Sequence, residues 1–182
     1  MSLKYGGFPV IVAGGIYTYD DIIKFLRLGA DGVQMGTRFL ATDESSASPE
    51  YKQAVVDARR EDILIAREPG SPCGMPLMVI RNSPMFRSAL EQKREPRCDK
   101  GYILSRNRDG VFARCPARDD NKSTFCICNG LLSAAGYNPL SEEPLYTVGA
   151  NGYKVDRVLS VKSLMDELTS GAAASVLSSL VA

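Results

Sequence analysis

FPVIVAGGIYTYDDIIKFLRLGADGVQMGT spans residues 8–37 and decides the reading of the chain. Phe8–Ala13 is a continuous apolar run rich in β-branched residues. Such a run predicts a strand buried on both faces, as in a parallel sheet. It ends in Gly14-Gly15. Thr18, with Asp21 three residues later, approximates a capping box with Asp in the usual Glu position. Ile22, Ile23, Phe25, Leu26 and Leu28 then form a helical apolar face, and Gly29 is a natural stop. Asp31–Gly36 reads as a second strand. Strand, helix, strand makes a βαβ unit with a right-handed crossover.

Working outward, Ser48-Pro49 is a cap followed by a first-turn proline, and it opens a helix through EYKQAVVDARR. Asp62–Ala66 reads as a third strand. Glu68–Pro76 holds three prolines and two glycines and reads as a loop. Leu77–Arg81 forms a short strand, and Ser83-Pro84 opens another helix by the same cap logic. Arg97–Lys122 is polar with little apolar periodicity. Phe125–Ala135 reads as a helix. Ser160 caps a last helix, VKSLMDELTS, which Gly171 closes. No internal repeat is present.

Composition narrows the chemistry. The chain has 182 residues, is 45% hydrophobic and 24% charged, and carries a net charge of +1. These values fit a globular fold and exclude wholesale disorder. It contains no histidine. That removes Ser-His-Asp and Cys-His catalysis and every His-based metal site from this chain. Residues 81–122 carry 11 basic and 6 acidic side chains. No aromatic side chains are spaced along that segment as stacking platforms, so it reads as solvated surface and not as a nucleic-acid site. No apolar run approaches the ~18 residues of a membrane span. The N-terminus lacks the layout of a signal peptide. Five cysteines is an odd number, and a reduced, cytoplasmic protein is expected. A strand pattern this close to Met1 leads us to expect native sequence upstream.

Three sets of residues could carry chemistry. Gly14 and Gly15 follow a strand and precede a helix, where backbone N–H groups and the helix dipole can meet an anion. The same pattern also serves as a plain tight turn. Gly36-Thr37 ends the next strand, and Gln34 and Met35 precede it. By strand alternation one of that pair faces a ligand and the other the helix layer. In a (β/α)8 barrel, consecutive strand ends are adjacent on one rim, where phosphate sites form. Arg38 follows, and a rim salt bridge suits it better than a phosphate contact. Cys98, Cys115, Cys126 and Cys128, with Cys73 further off, lack paired C-x2-C knuckles. Cys126 and Cys128 on one helix would point to different sides, so packing or plain thiols is the expected role and no metal site is assigned. The pairs Asp20-Asp21, Asp119-Asp120 and Glu142-Glu143 are sequence neighbours that cannot face one site and read as caps or surface.

The stretch FPVIVAGGIYTYDDIIKFLRLGADGVQMGTRFLATDES resembles the flavin-binding half-barrel of the nitronate monooxygenases, relatives of the FMN-dependent enoyl-acyl-carrier-protein reductases. EDILIAREPGSPCGMPLMVIRN is similar to the family's following segment. CDKGYILSRN, FCICNGLL and VGANGYKVDRVLSVKSLMDEL resemble, more loosely, the cysteine-containing extension of its long-form members. The resemblance implies an α/β fold: the C-terminal part of a (β/α)8 TIM barrel over residues 1–93, and an irregular helical extension over 94–182. It implies FMN as cofactor, held at its phosphate end by Gly14, Gly15, Gln34, Met35, Gly36 and Thr37. Its substrates would be an alkyl nitronate and molecular oxygen. The alternatives are an enoyl reductase using NAD(P)H and, in another class, a non-catalytic fragment or Cys-rich metal-binding module. The family's histidine is absent, so no catalytic residue is assigned. The chain begins about where the sixth strand is expected. Alone it is expected to bind FMN weakly or not at all, to be inactive, and to form a homo-oligomer through an open barrel edge.

Overall fold

Strand β1 (Ile11–Ala13), helix α1 (Tyr19–Arg27) and strand β2 (Gly32–Gln34) form the expected βαβ unit. The strands run parallel, with Ile11 opposite Gly32, Val12 opposite Val33 and Ala13 opposite Gln34. This computed structural model describes residues 7–70, 76–93, 105–106, 109, 112–113, 115, 125–137 and 142–169. The capping box at α1 is complete. The Thr18 hydroxyl accepts from the Asp21 N–H at 3.2 Å, and the Asp21 carboxylate accepts from the Thr18 N–H at 2.9 Å. Gly29 sits at φ 97°, a left-handed conformation that ends α1 and suits glycine.

The expected burial of β1 is not found. Phe8 is 75% exposed and Ile11 55% exposed. Among the described residues β1 hydrogen-bonds only to β2. Its side chains stand off the two faces of the sheet, and where no other layer packs on a face they stay uncovered, whatever the strand's composition.

A second difference concerns strand direction. Strands β3 (Ile63–Ala66) and β4 (Leu77–Ile80) exist as read, but they pair antiparallel, Ile63 opposite Ile80 and Ala66 opposite Leu77. Only residues 67–76 join them. A parallel return needs a crossover of a dozen or more residues, so this loop permits a hairpin and not a second βαβ unit. Strands β5 (Ser105–Arg106) and β6 (Phe112–Ala113) are also antiparallel.

Helices α2 (Thr37–Leu40), α3 (Pro49–Asp57), α4 (Pro84–Leu90), α5 (Ile127–Ala134) and α6 (Val161–Thr169) complete the described elements, with single 3-10 turns at Arg60–Asp62 and Gly152–Lys154. The serine caps of α3 and α6 form as read: Ser48 accepts from the Tyr51 N–H and Ser160 from the Ser163 N–H. Gly171 lies outside the described residues. Ser83 behaves differently. Its hydroxyl makes no cap bond; it accepts the Tyr146 N–H at 2.8 Å and donates to the Pro144 carbonyl at 3.2 Å. Ser83 is fully buried. Ser83→Ala would leave the Tyr146 N–H without that acceptor. It is expected to cost about 1–3 kcal/mol in a urea unfolding curve.

That contact shows how the later residues pack on the earlier ones. Residues 146–148 run along β4, through the Ile80 N–H to the Tyr146 carbonyl and the Val148 N–H to the Met78 carbonyl. One core joins Ala41, Tyr51, Val55 and Ile80 to Ala134, Tyr146, Val148 and Val155. In it Tyr51 and Tyr146 stack with ring centroids 4.7 Å apart. A second core joins Val79, Met85 and Phe86 to Phe125 and Leu145. Gly130 on α5 has no room for a side chain there, since a Cβ would lie 2.6 Å from Leu145 Cβ and 2.7 Å from Met85 Sδ. Helix α6 closes against α1 and α2.

Candidate functional site

The register of β1 and β2 places the ends of both strands side by side, because Ala13 pairs with Gln34. The residues that follow each strand therefore share one rim. After β1 the chain turns through Gly14 at φ 88° and Gly15 at φ 72°. Two successive left-handed residues are accessible to glycine at little cost and strained for any side chain with a Cβ. After β2, Met35 and Gly36 lead directly into α2.

Between these loops lies a cavity of about 210 Å³. All six residues singled out above, Gly14, Gly15, Gln34, Met35, Gly36 and Thr37, border it. Ile16, Tyr17, Arg38, Gly149 and Asn151 complete the lining. A Cβ built at Gly14, Gly15 or Gly36 would meet nothing within 4 Å. The three glycines thus face open space and expose backbone to it. Gln34 and Met35 both border the cavity, against the expectation that strand alternation would separate them. The reason is that β2 ends at Gln34, so Met35 already lies beyond the alternating pleat.

Gly149 and Asn151 were not singled out from sequence. The Gly149 N–H donates to Thr37 Oγ1 at 2.9 Å, and Asn151 Nδ2 donates to the Gly15 carbonyl at 2.5 Å. The glycines around Asn151 (VGANG) are the only local sign of a tight turn there.

The dipole of α1 plays a smaller part than the sequence suggests. Asp21 accepts from the Tyr17 N–H at 3.0 Å as well as from Thr18. The Thr18 N–H, then burial and the Tyr17 N–H, act on this carboxyl, and the net effect holds it below the usual carboxylate range. The start of α1 is therefore already occupied by the chain's own anion.

Arg38 takes the salt-bridge role. Its guanidinium lies 2.5 Å from Glu167 on α6, donates to the Tyr17 carbonyl at 3.2 Å and covers the Tyr17 ring at 4.6 Å. Arg157 reaches the other Glu167 oxygen at 2.9 Å. The hydrogen bond from Arg38 is the main cause holding the Glu167 carboxyl below its ordinary value. Burial pushes the Tyr17 hydroxyl up, and that hydroxyl donates to the Lys154 carbonyl. This network floors a second, more open cleft of about 450 Å³ beside the first.

The described cysteines lie apart from this site. Cys115 and Cys126 are buried together, with Cys128 packed against them. Cys73 and Cys98 lie outside the described residues. Cys126 precedes α5 as its N-cap with extended backbone, so it does not diverge from Cys128 as two residues within one helix would. Among the described residues no group of three or more His, Cys, Asp or Glu is placed to hold a metal ion. Also among them, no helix is long and apolar enough to cross a membrane. Most of the basic stretch 81–122 falls outside the described residues.

The nitronate monooxygenase family profile matches residues 3–171, and the chain belongs to that family of oxidoreductases. A probable nitronate monooxygenase of Staphylococcus saprophyticus is 46% identical over 57 residues, 31% of this chain and 16% of the relative. One from Staphylococcus aureus strain Newman is 41% identical over 59 residues, 32% of this chain and 17% of the relative. The matched stretch is thus about a sixth of those relatives' length. Among solved structures, FabK from Thermotoga maritima superposes with a TM-score of 0.59 at 26% identity, over 90% of this chain and 43% of that one. The nitroalkane oxidase of Streptomyces ansochromogenes gives 0.52 at 24% identity, over 90% and 39%, a likeness of fold alone.

Proposed function

We propose that this chain is the phosphate-binding part of an FMN-dependent oxidoreductase, the C-terminal portion of a TIM barrel with its extension. The observation that carries the reading is the rim itself. Three glycines from two adjacent strand ends face one small cavity with nothing occupying the place of a Cβ.

The residues fit one end of FMN and not the whole cofactor. Small-molecule sites usually measure about 300–1,000 Å³, and this cavity is about 210 Å³. A phosphate group needs convergent N–H donors and little steric bulk. The Gly14-Gly15 and Gly36-Thr37 backbones supply both, and Thr37 adds a hydroxyl. Arg38 lines the cavity, but its charge is shared with Glu167. Backbone dipoles, more than a free cation, would meet the anion.

Flavin would supply the redox chemistry when bound. This chain's residues would grip its phosphate and fix the position of the whole cofactor. Residues 1–93 would supply the strands of the rim and 94–182 the extension that backs it. The chain alone would hold FMN weakly. Two or three charge-assisted hydrogen bonds, each about 1.5–3 kcal/mol before ordering costs, leave a dissociation constant on the order of 1 mM. The substrate we propose for the full-length protein is an alkyl nitronate, oxidised by molecular oxygen in the cytoplasm. Oxygen consumption with propionate 3-nitronate tests this in the full-length, FMN-loaded protein. Turnover is expected. No turnover of the nitronate, with turnover of crotonyl thioester and NADH, would move the assignment to an enoyl reductase.

A further inference from the structure

We infer that the turn Gly149–Asn151 is a brace that sets the shape of the two glycine loops, with Asn151 the positioning residue for Gly14-Gly15. The inference rests on reading those loops as the FMN phosphate site.

The loops need such a brace. Gly14 and Gly15 are exposed and left-handed, and nothing packs within 4 Å of where their side chains would be. Glycines lose more conformational freedom on ordering than any other residue. A loop of two of them, without packing, samples many shapes, and binding an anion would then carry the full ordering cost.

Asn151 removes part of that freedom. Its Nδ2 donates to the Gly15 carbonyl at 2.5 Å across 136 residues of sequence. The peptide bond is planar and trans. Holding the Gly15 carbonyl therefore also holds the direction of the Ile16 N–H on the same peptide plane. Asn151 is a short amide with an N–H donor and no charge. An aspartate there would present two acceptors to the Gly15 carbonyl and a negative charge to a phosphate.

Two residues earlier, the same turn reaches the other loop. The Gly149 N–H donates to Thr37 Oγ1 at 2.9 Å. A hydroxyl that accepts at one lone pair keeps its own proton for a different partner. Thr37 is thereby directed to act as a donor. Gly149 is required for this approach, since a Cβ there would lie 2.9 Å from Thr37 Oγ1.

The turn is itself fixed. The Gly152 N–H donates to the Gly149 carbonyl at 2.9 Å and the Lys154 N–H to the Asn151 carbonyl at 3.1 Å. Lys154 is tied to Tyr17 through the tyrosine hydroxyl, and Val155 enters the first core. One rigid turn therefore spans both halves of the rim.

The test compares the wild-type chain with Asn151→Ala and Asn151→Asp. FMN affinity is read from the ³¹P resonance of FMN, and the freedom of the loop from hydrogen exchange at the Ile16 amide without ligand. Both variants are expected to weaken FMN about five- to tenfold and to speed Ile16 exchange, with the urea midpoint changed little. Asp is expected to be the worse of the two, a difference that loss of packing alone would not produce. Should Asn151→Ala fail to fold, the near-isosteric Asp variant carries both readouts. Wild-type affinity and Ile16 exchange retained in the variants would overturn the brace and leave the phosphate site standing. No FMN response in the wild type would overturn the phosphate site, and the brace with it.

Discussion

Gly36→Val is expected to abolish the response of this chain to FMN while costing little stability. Gly36 has φ −112° and ψ −63°, a conformation open to residues with side chains. Nothing stands within 4 Å of a Cβ built there. The substitution therefore meets no protein clash, and as Gly36 is the N-cap of α2 the exchange for valine costs only about 1 kcal/mol or less. Two methyl groups would instead project into a cavity of only about 210 Å³. A loss of FMN affinity of tenfold or more is expected, about 1.4 kcal/mol or above, with a thermal midpoint within a few degrees of wild type. The ³¹P titration and a melting curve read the two effects separately. Retained FMN binding in a folded variant would show that Gly36 does not face the ligand. Gly15→Val is less clean, because Gly15 at φ 72° adds backbone strain to any loss of ligand space.

The second large effect is on stability. Phe125→Ala is expected to lower the unfolding free energy by about 3–5 kcal/mol. Phe125 is fully buried and meets Phe86 edge to face, with ring centroids 6.0 Å apart. Its neighbours Met85, Val79 and Leu145 are also fully buried. The Phe125 N–H donates to the Gly70 carbonyl, so the residue also ties α5 to the loop after β3. Truncation leaves a void among side chains drawn from β4, α4 and the 142–148 stretch. Urea unfolding followed both by near-ultraviolet tyrosine signal and by far-ultraviolet signal checks it. One transition, shifted equally in both, is expected if the residues on either side of position 94 share a core. A cost below about 1 kcal/mol would contradict the burial.

What could be read from sequence follows how local each signal is. The βαβ unit was legible because its evidence lies within thirty residues: an apolar run, a Thr18/Asp21 box, a helical apolar stripe and two glycine stops. The caps Ser48 and Ser160 were legible for the same reason. All six rim residues come together because parallel register fixes adjacent strand ends. The exposure of Phe8 and Ile11 was not legible, since burial depends on what packs on a strand's faces and not on its own composition. The antiparallel return of β4 was missed, although the short link over residues 67–76 already forbade a parallel crossover. Ser83 looked like a cap by pattern, yet its hydroxyl serves a segment more than sixty residues later. Gly149 and Asn151 act across 112 and 136 residues, distances at which only the fold can report a partner.

Whether the two glycine loops hold the phosphate of FMN is read directly by nuclear magnetic resonance. Amide ¹⁵N–¹H spectra of the uniformly labelled chain are recorded as FMN is added, and again with riboflavin, which lacks the phosphate. FMN-dependent shifts are expected at the amides of Gly14, Gly15, Gly36 and Thr37, absent with riboflavin. Shifts of the same size with riboflavin, or none at these amides at millimolar FMN, would contradict the phosphate site.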